Sequence, residues 1–466
     1  MHSITNLIFS FCLFFSSVLM AQTKLVSLFN DHMVLQQNTN VSIWGTDKPK
    51  TKISIHTTWG ETISVSTNKN GNWKATLKTT TAGGPYEVKV TGTSEVILKD
   101  VLLGEVWLCS GQSNMEISLK GNPGQPIDGS NHAIATSKNN QLRVFKVAKA
   151  MDLTKQEDCE GNWVLSSPNT AAAFSATAYF YGKMLQEQLG VPVGLIISSY
   201  GATPAEAWTP MKTIEAEGFN DLIKVAKETK KINRRTPSVL YNAMIHPLIP
   251  YTIKGAIWYQ GEGNHKQAKA YQKLFSAMIK TWRSEWKLGE FPFYFVQLAS
   301  LGWPGQKWID LQQAQLKTML SVPNTGMVVT NDIGSIDCIH PPKKKQVGER
   351  LAYWALANDY GFSGVEFSGP VYKSKQIKGA KIYLNFEYAP NGLTSLDKEF
   401  TDFEIAGADN QYYEANVKLT KKGSLYVWSD KVKQPKNVRY GWKSYIEGSL
   451  YNTAGLPASS FTTEEN

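Results

Sequence analysis

From Glu105 to Tyr360 the chain repeats one pattern: a short apolar run, a polar or glycine-rich break, then a longer stretch with helical periodicity. The apolar runs are Val106 to Cys109, Leu142 to Val147, Val193 to Ser198, Ile253 to Tyr259, Phe293 to Leu298 and Met327 to Thr330. Their length and lack of a polar face suit buried parallel strands. Between them Ala171 to Leu189 carries Phe174, Ala178, Tyr181 and Leu185 on one stripe and stops at Gly190. Thr203-Pro204-Ala205-Glu206 reads as a capping box with proline at the first helical position. Tyr271, Leu274, Phe275, Met278, Ile279 and Trp282 mark a further helix, and Leu311 to Leu320 another. Lys343 to Tyr360 closes the series, with Val347, Leu351 and Trp354 inward and Gly361 as cap. Strands alternating with helices require a parallel sheet covered on both faces. Ligands of such a sheet bind outside the carboxyl ends of its strands.

The flanks follow another grammar. Thr62 to Thr67 and Trp73 to Leu77 alternate in polarity about Asn70-Gly71, which predicts a hairpin. Gly83-Gly84-Pro85 then breaks the chain before Tyr86 to Val90, and a small antiparallel sandwich fits, with Trp73 as a core anchor rather than a sugar platform. Short alternating runs return from about residue 366, as in Ile382 to Phe386, Ala415 to Leu419 and Leu425 to Trp428. The expected division is a leader at 1–21, an N-terminal β-sandwich-like domain at 22–103, an α/β domain at 104–365 and a C-terminal β domain at 366–466.

Leu7 to Met20 is apolar yet short for a bilayer span, and Ala21-Gln22 leads into polar sequence. That pattern is a secretory signal peptide, so an exported protein, periplasmic or extracellular, is expected. The apolar run continues past Cys12, which argues against a lipid anchor there, and no later segment is apolar enough to cross a membrane. Cys109, Cys159 and Cys338 remain after the leader; an odd number leaves at least one free thiol and implies no disulfide framework. The net charge of +10 is spread along the 466 residues, and the longest basic run is Lys343 to Lys345. A nucleic-acid binder would concentrate that charge, so no nucleic-acid partner is expected. The surplus leans weakly toward anionic substrates.

Chemistry converges on the strand ends: Ser113, Gly201, Gln260 with Glu262, and the loop bearing Asp337 and His340. Ser113 follows the glycine that lets the first strand turn sharply, where a serine nucleophile is wanted, although Met115 replaces the second glycine of a Gly-x-Ser-x-Gly elbow. On that fragment alone an ordinary strand-to-loop turn is the better reading; the convergence raises it. A serine needs a base, and histidine has the pKa for it. His340 is preceded by Asp337 in a D-x-x-H spacing that lets a carboxylate orient the ring. His246, among proline and apolar residues, reads as structural, while His265 beside the Gln260 loop is a competitor. No His/Cys/Asp cluster has metal-ligand spacing, so neither metal nor cofactor is expected.

Gly104 to Met115, Ser199 to Trp208 and Ile257 to Asn264 resemble the sialate O-acetylesterases. The similarity continues through Asn331-Asp332-Ile333-Gly334, Ile339-His340-Pro341, Val438 to Trp442 and Gly455 to Ser459. These enzymes sit within the SGNH-type hydrolases, which also hold acetyl xylan esterases. The resemblance implies an α/β fold, an SGNH-like parallel-sheet hydrolase core flanked by N- and C-terminal antiparallel β domains. It also implies Ser113 as nucleophile, His340 as general base, and the Ser113 N–H, the Gly201 N–H and the Gln260 side chain as oxyanion-hole donors. Glu262 and Asn114 are read as supporting residues. Many relatives carry an acidic residue two positions before the histidine, where this chain has Cys338. Asp337 as the partner of His340, Asp332 in its place, and a Ser–His dyad with no carboxylate therefore stand as alternatives; Cys338 is not expected to be the nucleophile. The implied activity is removal of O-acetyl groups from sialic acids, with acetyl xylan esterase, or an inert carbohydrate-binding protein, as alternatives.

Overall fold

The structure, a computed structural model, describes residues 22–303, 308–420 and 423–464; the expected leader at 1–21, with Cys12, lies outside the described residues. Its organising element is one strand of 17 residues, Glu95–Gly111. The first half pairs antiparallel with Gly83–Thr91 and, through Leu102 to Gly104, parallel with Val34–Gln36. The second half pairs parallel with Val193–Ser199 on one side and Gly255–Tyr259 on the other. The division drawn between residues 103 and 104 thus falls inside a single strand.

Across the sheet the strands run Trp163–Ser166, Asn139–Lys146, Val193–Ser199, Glu95–Gly111, Gly255–Tyr259, Phe293–Val296 and Thr325–Val328. All are parallel except Trp163–Ser166, which runs antiparallel to its neighbour. Helices cover both faces. Successive residues of the Phe293–Val296 strand point opposite ways. Phe293 and Phe295 meet Phe275 of the Ala268–Trp286 helix, whereas Tyr294 meets Trp354 of the Lys344–Asp359 helix. The latter helix packs on Ala176–Leu189 at Gly348, where a Cβ would lie 2.7 Å from Phe180 Cβ. Trp308–Ser321 lies beside the Ala268–Trp286 helix.

Local structure departs from the sequence reading in three places. The helix expected from Ala171 is interrupted: Pro168–Ala171 is a separate turn, and Ala176–Leu189 starts at Ser175, whose hydroxyl accepts the Ala178 N–H and donates to Met115 O. Ser175 thereby ties that helix to the turn holding Ser113. Thr203 makes no capping box; its hydroxyl donates to Tyr200 O and accepts from Trp208 Nε1, leaving a short 3-10 turn, Ala205–Trp208. The strands on either side of Asn70-Gly71 do not pair with each other. Thr62–Ser66 joins Lys52–Thr57, and Asn72–Lys78 joins Asn40–Thr46. The Asp47 N–H bonds to Gly71 O, drawing the second strand into the other sheet.

Both β regions touch the α/β core, by different means. Ile53, Ile55, Val88 and Val90 of the N-terminal strands belong to the same continuous hydrophobic core as Trp107 and Trp258, and Trp73 is buried there. C-terminal residues such as Ile382, Leu384, Phe403, Ile405 and Val427 form a core of their own. They come from two four-stranded sheets, one holding Val371–Lys378, Lys381–Glu387, Leu425–Trp428 and Asn416–Leu419 and the other centred on Phe403–Ala406 and Asn437–Tyr440. The C-terminal segment then reaches back by polar contacts: Ser444 O accepts from Leu301 N, Ile446 O from Ser300 Oγ, Ala458 O from Asn331 Nδ2, and Ser459 Oγ from Gln297 Nε2. Among the described residues no helix is long and apolar enough to cross a membrane.

Candidate active site

Three adjacent strands end level, with Gly111 paired to Ser199 on one side and Tyr259 on the other. Gly111 has φ +141°, and a Cβ there would lie 2.2 Å from Tyr259 O, so only glycine fits. The backbone turns, the Gln112 N–H bonds to Tyr259 O at 2.9 Å, and Ser113–Glu116 forms one helical turn. Ser113 is thereby presented at the strand edge, where its Oγ lies 2.8 Å from His340 Nε2. Gln112 Oε1 accepts the N–H groups of Gly261 and Gly263, at 3.3 and 3.0 Å, tying the next strand end to the same turn.

His340 sits in a loop that other side chains hold. Asn114 Nδ2 donates to Ile339 O at 3.0 Å and to Glu262 Oε1 at 2.5 Å. Buried Lys344 donates to Asn114 Oδ1 at 2.5 Å and to Pro341 O at 2.8 Å, and Cys338 Sγ donates to His340 O at 3.2 Å. The carbonyls on both sides of His340 are thus fixed to the turn that carries Ser113. Burial pushes the His340 ring down to about 4, with the Lys344 ammonium adding to the effect and the Glu116 carboxylate opposing it. At neutral pH the imidazole is uncharged and able to accept a proton. Burial pulls Lys344 down and Glu262 up from their ordinary values, as expected for a buried ammonium and a buried carboxyl whose attraction only partly offsets desolvation.

The structure does not join every expected residue to this pair. The His340 Nδ1 is buried and has no hydrogen-bond partner among the described residues. Asp337, expected to orient the ring, is exposed; its backbone N–H bonds to Ser335 Oγ and its carbonyl accepts from Trp303 Nε1. Asp332 is taken by Arg350, with both carboxylate oxygens bonded to the guanidinium at 2.8 and 2.6 Å. The geometry is that of a Ser–His dyad. Gln260, expected to face an oxyanion, is fully buried, and its Nε2 donates to Thr203 O at 3.1 Å and to Asn264 Oδ1 at 2.8 Å. Both amide hydrogens are spent inside the protein, so Gln260 braces the loop instead.

Gly201 is brought beside Ser113, its Cβ position 3.5 Å from Ser113 Cβ, but its N–H donates to Glu116 Oε2 at 2.5 Å. Glu262 is buried behind Asn114, in keeping with a supporting role. His265 bonds to Glu262 O and packs on Trp308, and His246 bonds to Gln156 O, so neither ring competes for Ser113.

Two residues at the pair were not singled out from sequence. Glu116, three positions after Ser113, shares its helical turn and so faces the same side, a spacing that could have flagged it. Lys344 lay hidden in a basic run that reads as a solvated helix start. Ser113 and His340 open onto a cleft of about 620 Å³, within the range typical of small-molecule sites, lined also by Glu116, Lys146, Lys149, Tyr200 and Arg234. Lys149 pairs with Glu116 at 2.5 Å and lies over the Tyr200 ring. Arg235 donates to Ala202 O and Gly263 O, pinning a turn in which Ala202 has φ +59°. Among the described residues there is no group of three or more His, Cys, Asp or Glu able to hold a metal, and Cys109, Cys159 and Cys338 are free.

Residues 103–357 match the family described as carbohydrate esterase, sialic acid-specific acetylesterase. The chain is 30% identical to the sialate O-acetylesterase of Pongo abelii over 94% of its length and 92% of that protein's, and equally to the sialate O-acetylesterase of Homo sapiens. It superposes on a crystal structure of a carbohydrate acetylesterase from Xanthomonas citri with a TM-score of 0.88 and 35% identity, covering 96% of this chain and all of that one.

Proposed function

Because this chain belongs to the sialic acid-specific acetylesterase family of carbohydrate esterases, we propose that it is an exported serine esterase that removes O-acetyl groups from sialic acids through an acyl-serine intermediate. The observation that carries this reading is the 2.8 Å bond between Ser113 Oγ and the uncharged ring of His340 at the mouth of an open cleft. His340 Nε2 takes the Ser113 proton as Oγ attacks the acetyl carbonyl. Negative charge then develops on the carbonyl oxygen. The N–H of Ser113 and that of Gly201 are the donors assigned to it, the oxygen taking the place that Glu116 Oε2 holds in this structure. Collapse passes the proton from His340 to the departing sugar oxygen, which leaves as a hydroxyl, and acetyl-Ser113 remains. Water, deprotonated by the same ring, attacks that ester, and the ring returns the proton to Ser113 Oγ as acetate leaves.

Export rests on the apolar segment Leu7 to Met20 and the polar sequence after it. Preference for sialic acids over neutral glycans is supported by the family match and by the lysine and arginine side chains along the cleft. Acetate release measured side by side on O-acetylated sialic acids and on acetylated xylan tests the substrate, with Ser113→Ala as the chemical control. Turnover on sialic acids that falls by roughly 10⁴-fold in Ser113→Ala is expected. Hydrolysis of xylan alone would reverse the substrate assignment, and equal rates in parent and variant would remove Ser113 as nucleophile. Binding of glycans without turnover would leave a carbohydrate-binding protein.

A further inference from the structure

Four cations approach the catalytic cleft, and they are not equivalent. Lys149 is neutralised by Glu116, with Nζ 2.5 Å from the carboxylate. Arg235 spends its guanidinium on Ala202 O at 3.0 Å and Gly263 O at 3.2 Å, so it serves the backbone of the turn. Lys146 and Arg234 remain. Both are exposed, both line the cleft with Ser113 and His340, and no carboxylate among the described residues pairs with either.

The fold sets where both stand. Lys146 is the final residue of the Asn139–Lys146 strand, at the same sheet edge from which Ser113 projects two strands away. Arg234 stands against Tyr200, its guanidinium carbon 5.8 Å from the ring centroid, while Lys149 stands 4.7 Å from that centroid. Attraction to the ring limits where the guanidinium can point. The cleft therefore carries uncompensated positive charge beside the nucleophile, on a planar group able to bind a carboxylate through two parallel hydrogen bonds.

We propose that Arg234, assisted by Lys146, binds the carboxylate of the acetylated sugar acid and so sets the enzyme's preference for anionic over neutral esters. The assignment rests on the sialic-acid reading above and names the residues that would enforce it. Neither side chain acts on the reacting atoms. Their effect is on which ester enters, and it weakens with salt because both are solvent-exposed.

The test uses O-acetylated N-acetylneuraminic acid and its methyl ester, which keeps the sugar and the acetyl group but removes the charge. The readout is the ratio of kcat/KM for acetate release from the free acid to that from the methyl ester. The parent is expected to prefer the free acid by roughly tenfold or more at low salt, and less at high salt. In Arg234→Gln the ratio falls toward unity, and in Lys146→Gln it falls part of the way. A parent that releases acetate equally from both compounds overturns this inference while the sialic-acid reading stands. An unchanged ratio in Arg234→Gln, with a circular dichroism spectrum and Tm like the parent's, also overturns it. A parent that releases no acetate from either compound removes the sialic-acid reading, and this inference with it.

Discussion

Ser113 and His340 meet at 2.8 Å, yet the protein holds them by opposite means. Ser113 stands at the end of a strand paired on both sides over its last residues, behind a glycine that no other residue can replace. Its position is a property of the backbone. His340 stands in a loop without regular pairing, held by Asn114, Lys344 and Cys338. Its position is a property of side chains. The pair is therefore robust on one side and adjustable on the other: Ser113 fails with the fold, whereas His340 can loosen while the fold survives.

The largest effect is expected at Gly111. Gly111→Ala places a Cβ 2.2 Å from Tyr259 O at a φ that alanine avoids. A loss of about 3 kcal/mol or more of stability is expected, read from chemical denaturation together with vanished activity. Lys344→Met is the counterpart on the other side. Replacing the buried ammonium by an apolar chain leaves Asn114 Oδ1 and Pro341 O without their donor and buried Glu262 without its neighbouring cation, which lowers stability. Here Tm should fall while a folded population remains, and kcat per folded molecule should fall roughly 10–10²-fold. A variant that unfolds without losing specific activity per folded molecule would show that both groups are held by the backbone.

As the proposed general base His340 must be uncharged to act, so the acid limb of kcat/KM is expected near pH 4, well below the ordinary histidine value of about 6.5. Burial is the main cause and the Lys344 charge the second, so Lys344→Met moves the limb upward. The same shift works against stability in acid. As pH falls from roughly 6.5 to 4 the unfolded chain binds the proton and the folded ring does not, so His340 withdraws stability across that window. The smallest effect is expected at Asp337. With its side chain away from the ring, Asp337→Asn should keep kcat within about twofold of the parent, measured at saturating ester. A hundredfold fall would mean that the loop closes on substrate and brings that carboxylate to Nδ1.

What the sequence made legible divides along the same line. Ser113, Gly201 and the alternation of strands and helices are written in apolar periodicity and turn glycines, which are local signals. The partner of His340 is not local. Asp337 has suitable spacing, but the chain turns its carboxylate outward, and Asp332 is drawn to Arg350, which lies eighteen residues on in another element. Gln260 has the right residue type at a strand end, and only the neighbouring Thr203 and Asn264 show that its amide is already engaged. The Asn70-Gly71 turn misled for a related reason: a strong turn signal fixes the reversal of the chain but not which strand lies alongside.

The backward reach of the C-terminal segment has a consequence in time. The loop carrying His340 leans on residues 300–303, through Ser335 N to Ser300 O and Trp303 Nε1 to Asp337 O. Those residues lean in turn on Ser444 and Ile446. A growing chain folds in the order in which it is made, so the parallel sheet and Ser113 can be in place while the support for the base is still unsynthesised. On that order Ser113 can be set before the segment that steadies His340 exists.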